Sequence, residues 1–346
     1  MRFSENPRET DCRRLKMEMN ERRTILAATG SYVPEKRLAN EELIQFPREA
    51  IPLIGEKTGV YFRRVAADNE CTSDLAVRAA KRCLENGSID PEHVQGIILA
   101  TSSPDRMQPA TATRLQHLLG AKQAFAFDIN SVCSGSAFGI ALADGLIRSG
   151  QYENILLVAS EVYSRILNPK DYATYPFFGD GAGAVFFRAG SPAEGGVVHS
   201  SLRTDGSRSD MISVPAGGTQ LPFGKMTNPR AAFFRMRGPD VFSFAVEEVP
   251  ELVGQLMADS GVSLSDIRCF ICHQANVNII HKIAELLHVP RERFFMNLAE
   301  YGNTAGASVL IALDEALAKG DIRRGDLVVT VAFGGGLSWG ANLIRI

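Results

Sequence analysis

The sequence predicts a layered α/β fold built from two similar halves. Three observations lead there. Short apolar runs of strand size alternate with helical segments of amphipathic spacing. One strand–helix unit occurs twice along the chain. The residues best suited to chemistry all fall at carboxyl ends of strands, where open α/β sheets place their ligands.

Regular structure is expected to start at Thr24-Ile-Leu-Ala-Ala-Thr-Gly, an apolar strand ending at Gly30. Ser73 to Asn86 reads as a helix, with Ser73 as its cap and Gly87 as its stop. Val94 to Ala100 is a buried strand, Thr111 to Leu119 a helix, and Ala124 to Ile129 the next strand. Ser134 to Arg148 is a helix ended by Gly150, followed by a strand from Ile155 to Ser160. Strands alternating with helices of this size indicate largely parallel sheets.

The repeat joins two stretches. The first runs from Ile89 through the strand at Ile97, a helix ending Leu118-Leu-Gly, Phe125-Ala-Phe-Asp, Cys133 and a helix to Gly150. The second runs from Leu264 through the strand ending at His273, a helix ending Leu286-Leu-His, Phe294-Phe-Met-Asn, Asn303 and a helix to Gly320. The offset is 303 − 133 = 170 and 320 − 150 = 170. Two halves packed about a pseudo-twofold axis follow, with Cys133 and Asn303 at matching strand-to-helix junctions. The expected organisation is a loosely packed arm over residues 1–23, a first half over 24–195 carrying the nucleophile, and a second half over 196–346 carrying the histidine and asparagine.

Composition excludes several classes. The 346 residues are 45% hydrophobic and 22% charged with a formal charge of −2, ordinary for a soluble globular chain. No basic stripe interleaved with aromatics suggests a nucleic-acid partner. Apolar runs such as Ile155 to Ala159 fall far short of the ~20 residues of a membrane span. The first residues lack the apolar core of a secretory signal, so a cytoplasmic protein is expected. Six cysteines are sparse and unevenly spaced, unlike a disulfide framework. Cys269 and Cys272 form a C-x-x-C, but on a strand residues three apart face opposite sides, so a metal site is not expected.

Cys133 lies in Asp128-Ile-Asn-Ser-Val-Cys-Ser-Gly-Ser, at the end of a strand and the start of a helix rich in small residues. Free N–H groups and the helix dipole favour a thiolate there. His273, in Cys-His-Gln-Ala-Asn276, offers an imidazole for proton transfer or hydrogen bonding. Asn303, in Gly-Asn-Thr-Ala-Gly-Ala-Ser308, is either a helix cap or a neutral donor to a thioester carbonyl. The glycine-rich runs at Phe178 and Phe333 lack the lysine of a P-loop; they suit tight turns or close backbone approach to a ligand.

Together, Val132-Cys-Ser-Gly, His273-Gln-Ala-Asn, Gly302-Asn-Thr-Ala-Gly-Ala-Ser, Phe333-Gly-Gly-Gly-Leu-Ser-Trp-Gly, Phe178-Gly-Asp-Gly-Ala-Gly and Thr58-Gly-Val resemble the β-ketoacyl-acyl-carrier-protein synthase III family from about Thr24 to the C-terminus. The resemblance implies a thiolase-like five-layer αβαβα fold, a homodimer, and two-step chemistry in fatty-acid biosynthesis. Cys133 would take an acyl group from a coenzyme A or acyl carrier protein thioester. A malonyl thioester on acyl carrier protein would then lose CO₂, with His273 and Asn303 holding the enolate. The amides of Cys133 and Gly335 would form the oxyanion hole, and Phe333 would shield the malonyl site. No bound cofactor is implied; the thioesters are substrates.

Arg165 matches a family arginine near coenzyme A, and Asn276 belongs to the substrate-binding His-Gln-Ala-Asn run. Other positions depart from the pattern. Leu53 stands where the family has a tryptophan near the adenine, Asn278 replaces an arginine of the carrier-docking helix, and Glu285 replaces a lysine, while Lys282 remains. Gln108 stands at a position, often phenylalanine, that limits the acyl pocket across the dimer, which points to a longer or polar primer. Two competing functions remain at this level: a non-decarboxylative acyltransferase of secondary metabolism, which has less need of Asn303, and a non-catalytic partner subunit, which has no need of the three site residues.

Overall fold

A computed structural model describes residues 22–346. The N-terminal arm expected over residues 1–23 lies outside the described residues except for its last two. Arg22 binds the carbonyls of Ile147 and Tyr152 and pairs with Glu153 at 2.7 Å, and Arg23 already belongs to the first strand.

The first sheet contains β1 (Arg23–Tyr32), β4 (Gly96–Ala100), β5 (Phe125–Ile129), β6 (Asn154–Glu161) and β7 (Gly181–Gly190), in the order β1-β7-β6-β4-β5. The second contains β8 (Gly196–Thr204), β11 (Ile267–Cys272), β12 (Leu327–Gly334) and β13 (Ser338–Arg345), in the order β11-β12-β13-β8. Two short ribbons, β2 (Arg37–Ala39) with β3 (Phe62–Arg64) and β9 (Ile212–Ser213) with β10 (Arg235–Met236), stand apart.

The helices are α1 (Ile51–Thr58), α2 (Thr72–Asn86), α3 (Thr111–Leu119), α4 (Gly135–Arg148), α5 (Gly238–Ser260), α6 (Val277–Leu286), α7 (Leu298–Tyr301) and α8 (Ser308–Lys319). The period of two along each strand sorts its residues between faces. Ile97 and Leu99 pack with α2 and α3, whereas Ile98 and Ala100 pack with α4 and α8. Cys269 and Ile271 of the second sheet share that central α4–α8 layer, and Phe270 and Cys272 face α5 and α6. The result is five layers, αβαβα. Cys269 and Cys272 sit on opposite faces of β11, in separate core clusters.

The sheets are mixed, a correction to the largely parallel arrangement expected. In the first, β4 pairs in parallel with β5 and β6, but β7 is antiparallel to both β6 and β1. In the second, only β11 and β12 are parallel. The alternation visible in sequence covers the opening of each half; each half then closes on strands that have no crossover helix between them. Gly335–Leu337 turns β12 straight into β13, and so short a connection permits only antiparallel pairing.

Two local expectations also change. Helix α2 starts at Thr72 with Cys71 as its cap; the Asp74 carboxylate accepts the Cys71 N–H at 2.9 Å, and Ser73 lies inside the first turn. The copy of β5 in the second half shrinks to one parallel bridge, Phe270 to Phe294.

Candidate active site

The two strand-to-helix junctions share one backbone device. Asn130 accepts the Val132 N–H through its side-chain oxygen at 3.3 Å, and Asn303 accepts the Ala305 N–H at 2.8 Å. Val132 and Ala305 both have positive φ, 47° and 46°. This is uncommon for side chains branched at or bearing a Cβ and marks a backbone held by its surroundings. Each is followed by a single 3-10 turn and then a central helix, α4 or α8.

The spatial repeat at the turns is therefore 303 − 130 = 173 and 305 − 132 = 173, which corrects the 170 read from pairing Cys133 with Asn303 and Gly150 with Gly320. Asn303 is the counterpart of Asn130, and the counterpart of Cys133 is Gly306. A Cβ on Gly306 would stand 2.9 Å from the Val132 carbonyl oxygen and 3.1 Å from a Glu161 carboxylate oxygen. The two turns pack so closely that only one of them has room for a side chain at this place.

Cys133 is buried beneath the end of β12. A Cβ on Gly334 would meet the Cys133 Cβ at 2.7 Å and its backbone nitrogen at 3.0 Å, so this strand can pass over the cysteine only as glycine. Gly335 follows beside the same turn; its Cβ would meet Val132 Cγ2 at 3.1 Å. One residue earlier, buried Phe333 packs edge-on against the His273 ring, with centroids 5.3 Å apart. His273 donates its backbone N–H to Val331 at 2.7 Å, and its Nδ1 lies 2.7 Å from the hydroxyl of Ser308, the first residue of α8. Asn303 is strapped to the Phe178 segment by two backbone bonds, Asn303 N–H to Phe177 and Gly179 N–H to Asn303.

The three sequence-predicted residues are thus tied by short links. Cys133 touches the end of β12, β12 touches His273, and His273 is held by the helix that the Asn303 turn begins. The Asn303 side-chain oxygen accepts from Ala305, and its NH₂ has no partner among the described residues. His273 Nε2 likewise has none among them.

Electrostatics revise one expectation. Burial pushes the Cys133 thiol above its ordinary value, and the nearby Glu161 carboxylate adds to the shift. Burial in an apolar layer thus works against the thiolate that the helix start favours. Burial also lowers His273 to about 3, so the imidazole is neutral at working pH. Glu161, fully buried, is pushed up to about 7 despite hydrogen bonds from Ser102 and Ser103.

The other predicted residues lie further out. Arg165 is exposed and bonds the Ala67 and Asp68 carbonyls at 2.8 and 3.0 Å. Asn276 caps α6 through Asn278 N–H and reaches the Lys57 carbonyl at 3.3 Å. Leu53 is partly exposed on α1. Gln108 is exposed, and its neighbour Met107, rather than Gln108, borders the cleft beside Cys133. Among the described residues, no group of three or more His, Cys, Asp or Glu could hold a metal ion.

Sequence reasoning missed Ser308, Gly306, Gly334 and the Glu161 cluster. Ser308 had a readable signal, since it closes the Gly-Asn-Thr-Ala-Gly-Ala-Ser run.

Comparison with known proteins decides the lineage. The pattern of 3-oxoacyl-[acyl-carrier-protein (ACP)] synthase III matches residues 127–206, and that of its C-terminal region matches 257–346. A beta-ketoacyl-[acyl-carrier-protein] synthase III 3 of Streptomyces coelicolor is 42% identical over 92% of this chain and 96% of its own length. The chain belongs to the β-ketoacyl-acyl-carrier-protein synthase III family. A second synthase III, from Clostridium acetobutylicum, is 40% identical over 92% of this chain and 98% of its own. The crystal structure of the synthase III of Pseudomonas aeruginosa superposes with a TM-score of 0.86 at 36% identity, covering 93% of this chain and 98% of that one. The fold is accordingly of the thiolase type, and family members are acyltransferases that condense thioesters.

Proposed function

We propose that this synthase III family member joins an acyl group to a malonyl thioester carried by acyl carrier protein, releasing CO₂, in fatty-acid biosynthesis. The observation that carries the proposal is a buried cysteine in one site with two neutral donors, the Asn303 NH₂ and the His273 Nε2, which have no partner among the described residues.

In the first step the Cys133 thiol loses its proton and its sulfur attacks the carbonyl of an acyl thioester, from coenzyme A or acyl carrier protein. The carrier thiolate leaves and takes up a proton. The N–H groups of Cys133 and Gly335 serve the oxyanion of that step. In the second step the malonyl carboxylate departs as CO₂, and its bonding electrons pass to the thioester as an enolate. Asn303 donates to the enolate oxygen through its NH₂. His273 donates through Nε2–H, in the tautomer whose Nδ1 accepts the Ser308 hydroxyl. A neutral imidazole suits this task because it supplies a hydrogen bond without surrendering a proton that would quench the carbanion. Phe333 covers the imidazole and keeps water from the enolate. The enolate carbon attacks the acyl-cysteine carbonyl, expelling the thiolate and leaving a 3-oxoacyl thioester.

Arg165 and Asn276 are assigned to the approach of the thioester carrier, and Gln108 and Met107 to contacts across a homodimer. Incubation with acyl-CoA and malonyl carrier protein tests the assignment: the 3-oxoacyl carrier protein and CO₂ should appear in equal amounts. Acyl transfer without CO₂ would overturn it.

Carrier docking should depend only weakly on ionic strength. Carrier proteins are acidic, and a basic patch steers them at low salt. Here Asn278 is uncharged and Lys282 is paired with Glu285 at 2.6 Å. The condensation rate should therefore change little between low and physiological salt. A steep fall that Lys282→Ala abolishes would show that the patch still steers.

A further inference from the structure

A cleft of about 400 Å³ opens beside the nucleophile turn, with Val132, Ile166, Ile212 and Phe234 among its walls. Its polar lining comprises Asn130 and Ser213 at the rim and, joined to a buried carboxylate, Ser102 and Tyr163. Parallel pairing of β4 with β6 puts Ala100 opposite Ala159, so the residues just beyond, Ser102 and Glu161, meet. Glu161 is wholly buried and accepts both serine hydroxyls, Ser102 at 2.9 Å and Ser103 at 2.5 Å, as well as the Ser102 N–H. The Tyr163 hydroxyl lies 2.9 Å from Ser102 Oγ.

The direction of this chain follows from its anchor. An ionised carboxylate only accepts, so the single Ser102 hydroxyl proton goes to Glu161. Ser102 Oγ must then accept from Tyr163, and the phenol proton is spent inward. The ring cannot turn away: it stacks on Phe178 at 5.0 Å and meets Phe234 edge-on at 5.4 Å. The phenol oxygen, 2.9 Å from the cleft-lining Ser102 hydroxyl, keeps one acceptor site that no bond in the described residues uses. A saturated acyl chain brings only methylenes to it; an acyl chain with a hydroxyl brings the missing donor.

We infer that Tyr163, held by Ser102 on Glu161, is a specificity-determining residue that selects acyl primers carrying a hydroxyl group on the chain. The inference rests on the reading of Cys133 as the acylated residue and adds the primer class to it. Its recognition group belongs to this chain's own cleft, whereas Gln108 is exposed outside it.

The test measures specificity constants for acylation of Cys133, by intact mass, with hexanoyl-CoA and its 3-, 5- and 6-hydroxy derivatives at pH 8, above the value of about 7 to which burial raises Glu161. At least one hydroxylated primer should be favoured about tenfold, the worth of a hydrogen bond in a desolvated site. Tyr163→Phe, which keeps both ring contacts, should bring the ratio of hydroxylated to plain primer close to one. Equal constants for all four primers in the unaltered protein, or a ratio untouched by Tyr163→Phe, would overturn the inference while leaving Cys133 acylation intact. No adduct from any primer would instead overturn the reading of Cys133, and this inference with it.

Discussion

Cys133→Ala should abolish every covalent acyl adduct, whichever thioester is supplied. The thiol is the one nucleophile seated at the turn where Gly334 crosses, and Ser131 and Ser134 beside it bond one another at 2.9 Å. The variant removes one sulfur from a packed site and should fold. Intact mass after incubation with acyl-CoA reads the outcome directly, and acyl mass gained at the unaltered protein's rate would refute the assignment. The unaltered protein should also acylate faster as pH rises. Burial and Glu161 hold the thiol above its ordinary value, so the ionised fraction grows with pH throughout the neutral range. His273, lowered to about 3, should contribute no acid limb in that range.

The central layers were legible because β4, β6 and β12 are short, nearly continuous apolar runs, the mark of strands buried on both faces, separated by helices of readable length. Glycine ends α3 and α8 in the left-handed conformation, at Gly120 and Gly320, and both ends could be read from sequence. The order of strands was not legible. Nothing local in Gly181–Gly190 states that it runs antiparallel to β6; direction is set by the connection, and residues 162–180 contain no crossover helix to return the chain for a parallel strand. The repeat shows the same division. Its offset reads as 170 at the helix-ending glycines but is 173 at the functional turns, because α4 is two residues longer than α8 (14 against 12) and Ser149 stands between α4 and Gly150, whereas Gly320 follows α8 directly. Pairing Cys133 with Asn303 by sequence gave the same 170 and so matched residues three positions out of step, which the hydrogen-bonded turns reveal.

The site was legible to the extent that residue type carries chemistry. Cysteine, histidine and asparagine at strand ends announce themselves; the state of the thiol does not. That state depends on the burial imposed by β12, which arrives some 200 residues after Cys133, at Gly334 (334 − 133 = 201). Glu161 escaped notice for a similar reason. Its partners Ser102 and Ser103 lie about 60 residues away in sequence (161 − 102 = 59; 161 − 103 = 58) and reach it only through strand register.

Asn303→Ala and His273→Ala should each lower condensation by about 10²–10³, the usual effect of removing one preorganised donor to a developing oxyanion. Self-acylation should fall much less. The Asn303 NH₂ and the His273 Nε2 are assigned to the enolate, which exists only in the second step. Neither group figures among the causes of the Cys133 shift, so removing one leaves the thiol's ionisation governed by burial and Glu161. Asn303→Ala is the more delicate variant, because Asn303 also accepts the Ala305 N–H at a residue with positive φ. Asn303→Asp separates the two roles. Its carboxylate keeps the acceptor and hence the turn, but it has no NH₂ and sets a negative charge against the enolate. Condensation should therefore be lost in Asn303→Asp at least as fully as in Asn303→Ala, with the melting temperature nearer that of the unaltered protein. Single-turnover acylation and malonyl decarboxylation, timed separately, check the division. Equal losses in both steps would assign these side chains to the site as a whole and not to the enolate.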